Sequence, residues 1–327
     1  MGRCCVLPYR ARSRRGRLPQ IKAAAGAACT DALRHYYACM MNESPESPPS
    51  VMYFNAADPS GSAGLAADLA SCAAVGCHPL PVTTALWVRD TAEIFDTIEI
   101  EADAVVEQAR AVLEDVEIAA WKVGFLGSVD VVNAVAELLA DYSQVPLVTY
   151  AGNFHVLDEA QADDYIKALQ DLILPQTRVL TGNQSALTQL LLPEWDGEAP
   201  PTLEALMHKA QQLGVQYLLV TGILASEGKV ENVLMSPRRV LLRESFELFE
   251  AGFTGAGDTL SAVLAAILAN GAKLDQAVHE AIEYLDHCLD FGYRPGMGQV
   301  VPDRFFWAQP TDEDEAEPGD PGAPTLQ

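Results

Sequence analysis

The chain has 327 residues, 49% of them hydrophobic and 20% charged, which is enough to bury one large α/β core or two small ones. Its formal charge is −24, and because residues 1–39 hold eight Lys or Arg against the single Asp31, everything after them carries −31. A body that acidic repels nucleic acid and anionic membrane surfaces, so a small molecule is the expected partner.

Residues 1–50 read as a basic, disordered leader, a targeting presequence, or translated sequence upstream of a true start at Met40, Met41 or Met52. They contain no uninterrupted apolar run of about 18 residues, so neither a secretory signal nor a membrane span is expected. From Val51 strand-like and helix-like runs alternate at short spacing, without a Pro/Ser-rich linker, to about residue 308, which reads as one domain. Residues 309–327, with the run Thr311-Asp312-Glu313-Asp314-Glu315 followed by Pro and Gly, read as an acidic disordered tail.

Val51–Ala56 is a short apolar run that enters Asp58-Pro59-Ser60-Gly61-Ser62-Ala63-Gly64, and Leu65–Val75 follows with helical spacing. This is strand, glycine loop, helix. Pro81–Val88 and Ile94–Ile100 read as strands, and Ala102–Leu113 as a helix. The rhythm repeats through strands at Ile118–Lys122, Pro146–Tyr150 and Val179–Thr181 and helices at Ser128–Ala140, Asp158–Leu174 and Gln184–Leu192. Leu203–Leu213 is a helix before the buried strand Tyr217–Thr221, and two strand-like runs flank Ser236-Pro237. Gly257–Ala269, apolar nearly all round, and Leu274–Leu289 close the pattern as helices. Such alternation implies a three-layer α/β fold, a mostly parallel sheet with helices on both faces and ligands beyond the carboxyl ends of its strands.

Of seven cysteines, Cys72, Cys77 and Cys288 lie in the patterned region and read as buried thiols, which suits a reducing cytoplasm. The six histidines are scattered singly, so no metal site made of protein ligands alone is expected. The oligomeric state is not legible, and a homodimer stays open.

The chemistry concentrates at Gly255-Ala256-Gly257-Asp258, where two glycines and an acid open a buried helix. Unpaired N–H groups and the positive end of the helix dipole favour an anion there, and glycines let it approach the backbone. Asp258 is placed to accept a hydroxyl proton. The residue type and position are equally those of a first-turn acid that stabilises its helix.

The wider sequence resembles the ribokinase superfamily, and within it the hydroxymethylpyrimidine/phosphomethylpyrimidine kinases. The resemblance rests on Ala57–Gly64 with Leu65-Ala66-Ala67-Asp68-Leu69, on Val82-Thr83-Thr84-Ala85-Leu86, on Lys122-Val123-Gly124-Phe125-Leu126, on Leu174-Pro175-Gln176 before Asn183, and on Gly255–Asp258. It implies ATP and Mg²⁺ as cofactors and 4-amino-5-hydroxymethyl-2-methylpyrimidine, then its monophosphate, as acceptors in thiamine biosynthesis. By the same resemblance Asp258 is the base, Gly255, Ala256 and Gly257 form the anion hole, Asp58, Gly61, Arg89 and Phe125 meet the substrate, and Asn183, Thr221 and Gly222 meet the nucleotide. A pyridoxal-type kinase and a catalytically weak ligand-binding homologue are the alternatives.

Four positions depart from the family pattern. Arg89 stands where the pyrimidine kinases carry a Gln; Arg only donates, so it cannot pair both ways with a ring nitrogen and an amino group. It is expected to grip a phosphate or carboxylate, or to pair with Asp90 or Glu93 at the surface. Ala186 replaces the Glu of an Asn-x-x-Glu segment, and Thr149-Tyr150-Ala151 replaces Leu-Asp-Pro, so magnesium is left to ATP phosphates and water and turnover is expected to be slow. Asp258 stands where many pyrimidine kinases have Cys and follows the wider superfamily instead.

Overall fold

The computed structural model describes residues 47–308 except Asn153 and Glu227, and all but the side chain of Glu159. The expectations for the leader up to residue 46 and for the acidic tail lie outside the described residues.

Among the described residues nine strands form one sheet: β1 (Ser50–Ala57), β2 (His78–Arg89), β3 (Ile94–Glu99), β4 (Ala120–Val123), β5 (Leu147–Tyr150), β6 (Val179–Asn183), β7 (Tyr217–Leu224), β8 (Lys229–Ser236) and β9 (Arg239–Glu247). Their order is β3-β2-β1-β4-β5-β6-β7-β8-β9. Taken in that order, the six strands from β2 to β7 pair in parallel, while β3 pairs antiparallel with β2 at one edge and, at the other, β8 pairs antiparallel with β7 and β9 with β8. The helices are α1 (Gly64–Ala74), α2 (Ala102–Leu113), α3 (Val129–Ala140), α4 (Glu159–Ala168), α5 (Gln184–Leu191), α6 (Leu203–Gln212), α7 (Ala256–Ala269) and α8 (Leu274–Asp290).

Alternation along β1 shows how the sheet is covered. Val51 and Tyr53 pack into the core formed with α1, α7 and α8, whereas Met52, Phe54 and Ala56 pack into the core formed with α2 to α6. Both faces are therefore apolar, and the strand reads as a continuous hydrophobic run. Ser128, Asp158, Asn183 and Thr202 each accept a backbone N–H at the start of their helices, which sets where α3, α4, α5 and α6 begin.

Two elements differ from their expected form for local reasons. The helix expected over Asp158–Leu174 is α4 continued by a π turn at Leu169–Ile173 and a 3-10 turn at Leu174–Gln176, where Pro175 has no N–H with which to continue the ladder. Strand β7 continues past Thr221 because Gly222, at φ +67°, lets the register shift between Val220 and Ile223 before pairing with β8 resumes. Cys72, Cys77 and Cys288 are buried free thiols. Among the described residues no helix is long and apolar enough to cross a membrane, and no His, Cys, Asp or Glu group is arranged to hold a metal ion.

Candidate active site

Strand order reverses at β1: the chain first builds outward through β2 and β3, then returns to lay β4 on the other side of β1 and builds outward again. Loops leaving β1 and β4 must diverge at that point, which opens a crevice at the carboxyl ends of the strands. A cavity of about 430 Å³ lies there, with Arg89, Tyr150, His155, Asn183, Thr221 and Gly255–Asp258 in its wall.

Helix α7 points its first turn at this cavity. Gly255 precedes the helix at φ +84°, and as first-turn groups the N–H donors of Ala256, Gly257 and Asp258 have no intrahelical acceptor. Only glycine fits at two of these positions. A Cβ on Gly257 would run into the Tyr150 ring, and one on Gly255 into the Ser62 carbonyl and Arg304. Gly255→Ala is expected to keep the fold yet lose about 10²-fold in turnover, because the displaced loop moves the N–H donors by a fraction of an ångström or more. Steady-state kinetics beside a thermal melt would check this, and an unaltered kcat would refute it.

The Asp258 carboxylate is almost wholly enclosed by its partners. Oδ1 accepts from Lys122 Nζ at 2.9 Å and Asn55 Nδ2 at 2.8 Å, and Oδ2 accepts from the Gly64 N–H at 3.1 Å. Gly64, at φ +56°, is the first residue of α1, so the positive ends of two helices meet at one carboxylate. Burial alone would raise its pKa, but the Lys122 ammonium, the Asn55 amide and the Gly64 N–H outweigh burial and hold it below the usual carboxylate range.

Lys122 is shared. Its Nζ also lies 2.8 and 3.1 Å from the two oxygens of Asp68 on α1, and Asn55 Nδ2 reaches Asp68 at 2.9 Å. The amide of Asn55 is oriented by two donors to its Oδ1, the N–H groups of Ala56 and Phe125, both at 3.0 Å. One ammonium thus serves two buried carboxylates. Burial is the larger influence at Asp68, and with Asp258 nearby it raises that pKa to about 7 despite Lys122. For Lys122 burial opposes the charge, yet Asp258 and Asp68 together raise its pKa. Tyr150, where the family pattern has an acid, lays its ring 5.6 Å from the Lys122 ammonium and adds no third negative charge.

The other expected site residues separate into those that reach the cavity and those that shape it. Arg89 lines the wall, but it is neither a surface residue nor paired with the side chain of Asp90 or Glu93. Its Nη1 is 3.4 Å from Asp58 Oδ2 and its Nε donates to the Asp90 carbonyl, with the side chain only 5% exposed. Asp58 spends its carboxylate on the loop itself, accepting from the N–H and hydroxyl of Ser60 and from the Ala63 N–H, so it orders the loop and does not line the cavity. Gly61, at φ +74°, supplies the turn within that loop. Phe125 likewise does not line the cavity: its ring is buried between Trp87 and Tyr165, and only its N–H serves the site, through Asn55. Asn183 caps α5 with its side-chain oxygen, which bonds to the Ala186 N–H at 2.8 Å. Thr221, Ala256 and Gly257 also line a second, apolar cavity of about 190 Å³ that includes Gly222, Val230, Phe246 and Leu260.

Asn55, Asp68, Lys122, Tyr150 and His155 were not singled out as site residues from the sequence. Asp68 and Lys122 did carry a signal, each being a lone charge within an otherwise buried apolar run, and burial of such a charge requires a partner.

A largely parallel sheet whose switch point faces a glycine-opened helix N-terminus carrying a carboxylate defines a small-molecule kinase of the ribokinase-like class. The chain belongs to the phosphomethylpyrimidine kinase family, whose sequence model matches residues 58–303. It is 29% identical over 272 residues to the hydroxymethylpyrimidine/phosphomethylpyrimidine kinase of Streptomyces coelicolor, covering 81% of this chain and 97% of that one. It is 30% identical over 244 residues to the enzyme of the same name from Salmonella typhimurium, covering 71% and 87%. In fold it is similar to Bacillus subtilis pyridoxal kinase, solved as an ADP complex, with a TM-score of 0.70 at 22% identity over 79% of this chain and 98% of that one.

Proposed function

We propose that the protein transfers the γ-phosphoryl group of ATP to the hydroxymethyl group of 4-amino-5-hydroxymethyl-2-methylpyrimidine and then to the resulting monophosphate, with Asp258 as base in the first transfer. The observation that carries this reading is the Asp258 carboxylate beside three free N–H groups of α7 on the wall of one cavity. The acceptor hydroxyl gives its proton to Asp258 as its oxygen attacks phosphorus. The N–H groups of Ala256, Gly257 and Asp258 stabilise the charge that gathers on the phosphoryl oxygens.

The adjoining apolar cavity suits a nucleotide base, since it meets the anion hole at Ala256 and Gly257 and is walled by Val230, Phe246 and Leu260. At the β7 bulge, Thr221, which lines both cavities, and Gly222, which lines the second, are the phosphate-side contacts. Magnesium, if bound, would supply positive charge against the phosphates. With Ala186 and Tyr150 in place of acids, ATP phosphates and water would have to hold it.

Arg89 gives the acceptor side a cation in place of a two-way amide, which favours the monophosphate. A coupled ADP-release assay with the pyrimidine alcohol, its monophosphate and pyridoxal side by side tests the reading; activity on pyridoxal alone, or on none of them, overturns it. In the same assay Arg89→Gln is expected to raise KM for the monophosphate on the order of 10-fold and to change KM for the alcohol less.

A further inference from the structure

The family match ends at residue 303, and the side chain that follows is enclosed at the centre of the site's framework. Arg304 is 5% exposed, yet among the described residues no carboxylate lies within ion-pair distance of it. Its guanidinium instead bonds to Thr259 Oγ1 at 2.9 Å, the Gly61 carbonyl at 3.3 Å and the Ser62 carbonyl at 2.6 Å. The main chain that presents it is fixed as well: its carbonyl accepts from the Tyr284 hydroxyl at 2.7 Å, and the Asp303 N–H donates to the Cys288 carbonyl at 2.8 Å.

Burying a guanidinium is costly, and a Met would fill the same space without that cost, so packing does not account for the residue. Its three partners do. Gly61 and Ser62 belong to the loop after β1, and Thr259 follows Asp258 on the first turn of α7. The planar fork therefore spans the loop after β1, whose Ala63 lines the cavity, and the first turn of α7, whose N–H donors open on it. The Ser62 carbonyl that it grips is the group a Cβ on Gly255 would strike, and Arg304 Nη2 would lie 2.8 Å from that Cβ. The cation sits directly behind the residue that opens the anion hole.

We propose that Arg304 is a positioning residue for phosphoryl transfer, latching the Gly61–Ser62 loop to the first turn of α7 and adding its charge behind Gly255. The assignment rests on the kinase reading above.

The test uses the full chain as wild type, Arg304→Met and Arg304→Lys, with kcat and KM for ATP and the pyrimidine alcohol measured beside thermal melts. Arg304→Met is expected to lose about 10–10²-fold in kcat with KM for the alcohol little changed, as misplacement of the donors predicts. Arg304→Lys keeps the charge without the fork and is expected to recover part of that loss. If the Met variant does not fold, the Lys variant decides: a reduced kcat at an unchanged melting temperature supports the latch, and a wild-type kcat overturns it. Wild-type kcat in both variants with a lowered melting temperature would reduce Arg304 to a packing role. A wild-type chain that phosphorylates none of the acceptors defeats the kinase reading and this assignment together, whereas an active wild type with indifferent variants defeats this assignment alone.

Discussion

Asp258→Asn is expected to slow phosphorylation of the pyrimidine alcohol by at least about 10²-fold and phosphorylation of the monophosphate far less. The alcohol must lose a proton as it attacks. A phosphate monoester has a second pKa near 6, so near pH 8 its attacking oxygen already carries charge and needs no base. The fold should survive the change, because an amide in place of this carboxylate still leaves Lys122 with one buried acid partner, Asp68. Single-turnover rates on the two acceptors, with a melt of the variant, make the measurement. Equal losses on both acceptors would mean that Asp258 acts through its charge alone.

Lys122→Met is expected to be the most damaging single change outside the anion hole. It strands Asp68 and Asp258 in the core, and removing one partner of a buried ion pair costs about 3–5 kcal/mol, a large part of an ordinary domain's stability. The pH dependence follows from the signs. Without the ammonium, burial raises both carboxyl pKa values, so the folded variant holds protons that the unfolded chain releases near pH 4. Stability is then present in acid and lost as pH rises towards the folded pKa values. In the wild type Asp68, at about 7, already contributes in this sense between pH 4 and 7, whereas Asp258, held low, contributes stability that is lost only on acidification below the normal carboxylate range. The melting-temperature gap between variant and wild type should therefore widen from pH 5 to pH 8, and the acid limb of kcat/KM should move upward in the variant. A constant gap would show that Lys122 does not hold these carboxylates ionised.

Most of the architecture was legible because its determinants are local. The period change from the Val51–Ala56 run to the Leu65–Val75 helix needs no tertiary information, and neither does the apolar helical run Gly257–Ala269. Gly255–Asp258 could be located for the same reason, since a glycine-rich helix start is a property of consecutive residues. The network behind it was not legible. Asn55, Asp68, Lys122 and Asp258 lie on β1, α1, β4 and α7, and up to 203 residues separate partners that touch. Phe125 shows the opposite failure: the motif drew attention to its side chain, whereas the group that reaches the site framework is its backbone N–H, which any residue but proline supplies. Arg89 could not be placed because its nearest carboxylate, Asp58, lies 31 positions earlier on another segment.

The hydrogen bond from the Gly64 N–H to Asp258 ties the charge state of that carboxylate to the position of α1. A carboxylate binds N–H donors more strongly than a carboxylic acid does, so if Asp258 is the base proposed above, its protonation would slacken its hold on the start of α1. The loop that ends at Gly64 is the one that carries Asp58, Gly61 and Ser62. In the proposed reaction, bond making at phosphorus and the tether between α7 and the start of α1 would therefore share one proton.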